Sequence, residues 1–181
     1  MPTDLSKYNN SWYRPGNAVM VMLWYFANVL VLKNPLLPFS DLKIFVLKLF
    51  GARIGQGVVI KPCVNIKYPW KLSIGNYSWI GENVWIDNLD DVTIGNHVCI
   101  SQGALLLCGN HNYKKSTFDL MIGKIVLEDG VWIGAQSIVC GGITCHSHAV
   151  LSVNSVATKH LESFSIYRGN PAEKIADRTI D

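Results

Sequence analysis

The stretch CGNHNYKKSTFDL, residues 108–120, gathers side chains that can do chemistry. His111 carries an imidazole, a group that takes up and releases protons near neutrality. Cys108, three residues earlier, offers a thiol and with it an alternative nucleophile. Lys114 and Lys115 add positive charge, suited to solvent or to attracting an anionic saccharide. A histidine in a loop is most often a solvated turn residue. The setting of His111 reverses that expectation, because the stretch interrupts an otherwise regular chain.

The regularity is a six-residue period. Aliphatic residues recur at Ile54, Ile60 and Ile66, then, two positions late, at Ile74, Ile80 and Ile86. A second slip of two leads to Ile94, Ile100 and Leu106. After an insertion of fifteen the series resumes as Leu127, Ile133, Val139, Cys145, Leu151 and Ala157. A period of six fits neither the 3.6 of a helix nor the alternation of a strand. It fits a short strand plus a corner, three of which close a triangular coil. Stacked coils pair their strands in parallel, about 4.8 Å apart, and bring the aliphatic residues into ladders. The expected architecture is a parallel β-helix over residues 54–160. All three interruptions follow the third unit of a coil and therefore leave from one edge of the prism. The longest, residues 107–126, projects His111 from that edge, where loops on rigid scaffolds carry function.

Residues 1–53 read as a helical capping segment. GNAVMVMLWYFANVLVL, Gly16 to Leu32, predicts a helix from about Asn17 to Leu32, stopped by Asn34-Pro35. It falls short of the ~20 apolar residues of a spanning helix and contains Asn17 and Asn28. It suits a buried helix or one covered by another subunit, with a helix lying on a membrane surface as the less common case. SDLKIFVLKLFG predicts a second helix with Ser40 as N-cap and Gly51 just past its end. Both would cover the open edge of the first coil. Residues 161–181, with GNPAEKIADR, predict a turn and a short helix over the last coil.

Composition narrows the partners. Apolar residues make up 49% and charged residues 16%, which excludes disorder and favours extensive burial. A net charge of +3 without a basic run points away from nucleic acid. The five cysteines, an odd number without a CxxC pair, read as reduced thiols in a reducing compartment. MPTDLSKY lacks the pattern of a secretory signal, so a cytoplasmic location is expected.

The unit [LIV]-G-x-x-[STAV]-x resembles that of the hexapeptide-repeat acyltransferases over roughly residues 51–175. The resemblance implies a left-handed β-helix. Connection rules alone would have favoured the right hand. GNHNYKKSTFDL, LFGARIG, DGVWIGAQ and GNPAEKI are similar to the maltose/galactoside O-acetyltransferase group, and most to acetyltransferases of colanic acid biosynthesis. That similarity implies acetyl-CoA as co-substrate, no metal, and a homotrimer with active sites between subunits. His111 matches the family's general base. Asn88 lies where a polar residue stands near the acetyl group, a corner it shares with Asp87 and Asp90. Trp132 matches an aromatic beside the transfer site, and Ala135 a backbone N–H facing the thioester oxygen. Val153 and the pair Thr158-Lys159 match coenzyme A contacts. Glu173 stands where relatives often carry a basic residue near the nucleotide phosphates, so either Lys174 or Arg178 substitutes or this phosphate contact is absent.

Acetyl transfer to a hydroxyl needs a base, donors for the oxyanion and a groove that aligns both substrates, but no protein nucleophile. The expected reaction is direct transfer in a ternary complex to a sugar or exopolysaccharide precursor. Rival readings are an antibiotic O-acetyltransferase, a metal enzyme of the γ-carbonic-anhydrase type, and a non-catalytic trimer. The metal enzyme needs three converging histidines. His97, His146, His148 and His160 fall at corners and surface instead. The apolar N-terminal helices also suggest a peripheral membrane contact.

Overall fold

In a computed structural model, which describes residues 2–181, the chain forms five triangular coils capped at one end by helices. The first face of the prism pairs five parallel strands. It aligns Ile54, Ile74, Ile94, Leu127 and Cys145. The second face aligns Ile60, Ile80, Ile100, Ile133 and Leu151. The third aligns Ile66, Ile86, Leu106, Val139 and Ala157. All fifteen are buried, at 0 to 8% exposure. Full burial of one such aliphatic side chain contributes about 1.5–3 kcal/mol, so the ladders are the main source of cohesion.

Glycine after the aliphatic residue has a reason other than backbone freedom. Gly75 and Gly134 do not adopt positive φ. A Cβ on Gly75 would lie 2.6 Å from the Gly95 backbone, and one on Gly134 2.5 Å from the Val153 nitrogen. These glycines let successive corners stack. The strained positions are two residues further on, where Tyr77, Asn83, His97, Gln136, His148 and Asn154 take left-handed backbone angles.

Helix α1, Ala18–Ala27, continues as a π-helical turn, Asn28–Leu32, and helix α2 is Ser40–Leu49. Both asparagines of the apolar stretch are used. The Asn17 side chain accepts from the Val19 and Met20 N–H groups, and Asn28 donates to Asn65 Oδ1 at 2.8 Å. Trp24 donates to the Ile66 carbonyl, fixing α1 to the first coil. Ser40 is not the N-cap of α2; Phe39 holds that place without a side-chain bond. The Ser40 hydroxyl is drawn away to the open strand edge, accepting from Ile60 N–H and donating to Ile60 C=O, both at 3.1 Å. No helix among the described residues is long and apolar enough to cross a membrane.

The C-terminal helix expected from GNPAEKIADR does not form. Ser165–Gly169 adds a parallel strand to the second face, and Ala172–Asp177 returns antiparallel beside it. The last coil leaves backbone groups unpaired at its edge, and a strand satisfies them where a helix would not.

Candidate active site

The two short slips and the long insertion all leave from the corner between third and first faces. The insertion is not a structureless loop. Gly109–His111 and Leu120–Ile122 pair as an antiparallel hairpin, with His111 opposite Leu120 at the end of the ladder. The imidazole stacks on the Phe118 ring at 4.4 Å and 9°. Its Nδ1 lies 3.0 Å from the Phe118 carbonyl oxygen. A carbonyl can only accept, so Nδ1 carries the hydrogen and the neutral ring keeps its lone pair at Nε2. Phe118 turns that carbonyl back through a left-handed backbone conformation, φ 51°. The tip is held by Asn112 N–H on the Asp119 carbonyl and by the Lys115–Asp119 ion pair.

A distant segment completes this surroundings. Asp4 N–H donates to the Ser116 carbonyl at 2.8 Å, and the Tyr8 ring lies 5.7 Å from that of His111. Leu5, Tyr8, His111 and Phe118 line an open hollow of about 280 Å³. Sequence reasoning missed Tyr8 and Leu5, because MPTDLSKY carries no period that ties it to a residue a hundred positions away.

Below the hairpin the chemistry is closed off. Cys108 is 1% exposed, its Sγ is 3.7 Å from the Asp90 carbonyl, and burial pushes its thiol up to about 12. It is a thiol, not a thiolate, at neutral pH, so the alternative of a nucleophilic Cys108 fails. Asn88 is fully buried, accepting from Tyr68 N–H and donating to Tyr68 C=O at 2.9 and 2.6 Å. Asp87 is buried too and pairs with Lys67 at 2.8 Å. Within the chain both brace the corner that carries the hairpin.

A second constellation sits elsewhere. Val59, Trp79, Cys99, Trp132 and Val150 form one outward column on the second face. Above Trp132 opens a groove of about 590 Å³, lined by Ser101, Gln102, Ala135, Val153 and Arg178 among others. The Trp132 indole is fixed by donating to Ser101 Oγ at 3.0 Å. At the first–second corner a side-chain ladder takes the outward amides: Gln56 N–H donates to Asn76, Asn76 N–H to Asn96, and Asn96 N–H to Asp129. At the second–third corner the equivalent N–H groups of Ala135 and Val153 meet no acceptor among the described residues. They are free donors in the wall of the groove.

The cations sort unevenly. Arg178 lines the groove and donates to the Gly130 and His148 carbonyls. Lys174 stands outside it, paired with Asp177 and Glu162, whose hydrogen bonds raise its pKa. Thr158 and Lys159 are exposed beyond the last third-face strand, with Lys159 paired to Glu173 at 3.3 Å. The structure thus unites Trp132, Ala135 and Val153. It leaves Thr158, Lys159 and Lys174 off the groove and His111 at another corner. No three His, Cys, Asp or Glu side chains are grouped for a metal ion among the described residues.

No family model matches the chain. Over 176 residues it is 36% identical to the provisionally named colanic acid biosynthesis acetyltransferase WcaF of Escherichia coli K12, covering 97% of each. Galactoside O-acetyltransferase of the same organism is 25% identical over 129 residues, 70% of this chain and 64% of that one. Among solved structures, the hexapeptide-repeat acetyltransferase VCA0836 of Vibrio cholerae matches with TM-score 0.79 at 22% identity, over 91% of this chain and 96% of that one. VCA0836 complexed with acetyl coenzyme A matches at 0.74 and 21%, over 81% of each chain. A solenoid of this kind is shared by many sequences, but near-complete overlap with WcaF at more than a third identity is not a property of the repeat alone. The chain belongs to the hexapeptide-repeat acetyltransferases, in the group of WcaF.

Proposed function

We propose that the protein transfers acetyl from acetyl-CoA to a hydroxyl of a sugar or exopolysaccharide precursor, with His111 as general base. The observation that carries this reading is the Phe118 carbonyl on Nδ1, which leaves Nε2 as the proton acceptor. In the reaction the acceptor hydroxyl gives its proton to Nε2 while its oxygen forms a bond to the thioester carbonyl carbon. The Ala135 N–H meets the oxyanion that develops, without reorganisation. The carbon–sulfur bond then breaks, and the imidazolium returns the proton to the departing coenzyme A sulfur. The positive charge on the ring strengthens its bond to the Phe118 carbonyl meanwhile.

His111 and the groove share no lining residue within one chain. We therefore assign the site to the cleft between neighbouring copies of a homotrimer, one supplying the hairpin and the next the groove. Trp132 and Val153 would flank the acyl end of coenzyme A, with Arg178 toward its phosphates and Thr158, Lys159 and Lys174 at its outer end. Tyr8 and Phe118 would wall the acceptor, as aromatic faces suit the C–H faces of a sugar ring. Asp87 and Asn88 would act on the acceptor only indirectly, by holding the hairpin's root. The free cysteines suit a reducing compartment, and we place the reaction in the cytoplasm, with the helical cap at the inner face of a membrane.

Thiol release from acetyl-CoA, measured over a panel of sugars with an antibiotic hydroxyl alongside, tests the reading. His111→Ala should lower the rate about 10²–10⁴-fold, the range for loss of a general base. Equal release by both proteins would remove His111 from the mechanism.

A further inference from the structure

We propose that the helical cap is a dock for an anionic lipid surface. Its inward ridge is narrow: Trp24, Asn28 and Leu32, four residues apart, and Leu47 of α2 are buried against the first coil. Lys43 is buried beside them, and Ala27, Val31, Ile44 and Val46 are partly covered, but most of the remaining surface of both helices is apolar and exposed. Leu30 and Phe45 are each 64% exposed, Leu49 71%, and Leu36 in the link 83%. Leu23 and Phe26 extend the same surface. Exposed apolar patches of such extent are uncommon on soluble monomers and mark interaction sites.

Charge identifies the occupant. Residues 1–53 hold six basic residues against two acidic, while residues 54–181 hold ten against eleven. Lys43 is buried on the Leu37 and Ile60 carbonyls, and the five remaining cations against two acids still place the chain's positive excess with the apolar cap. Lys33 and Lys48 are exposed at the ends of the two helical segments, and Asp41 is the one acid within them. Tyr25 and Trp12, both exposed, suit the headgroup region, where amphipathic rings collect. A second copy docked on this face would set like charges against each other, whereas anionic headgroups neutralise them. The fifteen residues from Ala18 to Leu32 span about 22 Å at 1.5 Å each, short of the ~30 Å hydrocarbon core, so the segment lies along the surface rather than crossing it. The Tyr8 segment, which walls His111, leads directly into α1. A surface-docked cap would thus present the site to membrane-borne saccharides. That consequence rests on the O-acetyltransferase reading; the docking does not.

Flotation with vesicles tests it. The full chain should float with phosphatidylcholine vesicles containing phosphatidylglycerol and about thirtyfold less with phosphatidylcholine alone, given about 1 kcal/mol for each of Lys33 and Lys48 near an anionic surface. Leu30→Glu with Phe45→Glu, both at exposed positions, should abolish flotation while circular dichroism and thiol release with a free sugar stay unchanged. Lys33→Glu with Lys48→Glu should weaken it on the anionic vesicles only. Absence of wild-type flotation, or flotation undiminished by the paired glutamates, would overturn the proposal. So would a larger oligomer that the glutamates disperse without any vesicle binding. Thiol release with the free sugar reads the acetyltransferase assignment separately.

Discussion

At the proposed base, the two ring nitrogens of His111 have different surroundings. Nδ1 is committed to the Phe118 carbonyl, and only Nε2 is left to act. Cys108, three residues away in sequence, is removed from contention by burial rather than by distance along the chain. Cys108→Ala should accordingly keep the rate of acetyl transfer within about twofold of wild type, since general-base transfer uses no thiol. Alkylation at mild alkaline pH should label the partly exposed Cys63 well before Cys108, which mass mapping of the modified peptides can check. Substantial loss of kcat in Cys108→Ala with an unchanged melting temperature would restore the thiol to the mechanism. Tyr8 makes the complementary case. If its ring walls the acceptor, Tyr8→Ala should raise the acceptor KM several-fold and leave that of acetyl-CoA unchanged, while Tyr8→Phe should resemble wild type because the face, not the hydroxyl, makes the contact. An equal rise in both KM values would mean that Tyr8 supports the hairpin generally.

The coils were legible because a solenoid writes its period into the chain: each aliphatic position that the spacing selects is buried, and each falls in register with its neighbours. Its hand came only from the resemblance. The edges were less legible, since a terminal strand answers to the unpaired groups beside it rather than to its own pattern. That is why GNPAEKI became half of a sheet hairpin and Ser40 bonded a strand edge instead of capping a helix. His111 could be found from its interruption of the repeat, whereas Tyr8 could not, because the contact between residues 8 and 111 leaves no trace in either segment's composition. Corner chemistry shows the same dependence on neighbouring coils. Glu128 accepts from the Ser147 hydroxyl and N–H and bonds His146 Nδ1, at 2.9, 2.8 and 3.0 Å. The Ser147 bonds, with His146 adding, hold its pKa below the ordinary 4.5. A carboxylate so lowered stabilises the fold above its unfolded pKa and loses that contribution as pH falls through the lower folded value. Wild type should therefore melt above Glu128→Gln at neutral pH, with the gap closing as pH falls below the ordinary 4.5 and through the lowered folded value. A gap independent of pH would mean that packing, not ionisation, accounts for the difference. Partial exposure of Glu128 makes the expected gap small.

Across the assembled molecule, the separation of His111 from the groove has a consequence that single variants cannot reveal. The hairpin leaves one corner of the prism, and Trp132, Ala135 and Val153 line a groove opened on another face. If each active site takes its base from one subunit and its groove from the next, two inactive proteins can repair each other. His111→Ala spoils the base and keeps the groove. Val153→Trp, at an exposed groove position, fills the groove and keeps the base. Each alone should be nearly inactive. Co-expressed and assembled at random, about a quarter of the sites would join an intact His111 to an intact groove, as a closed ring of heterologous contacts requires. Recovery to about that fraction of wild-type thiol release, with a sedimentation mass of three chains, is the expected outcome. Mixing the purified, already assembled proteins should recover much less, because exchange of subunits must precede repair. If co-expression restored nothing while mixed assemblies demonstrably formed, the base and the acyl groove would have to meet within a single chain, and the hairpin would have to reach its own groove by a movement of the corner it leaves.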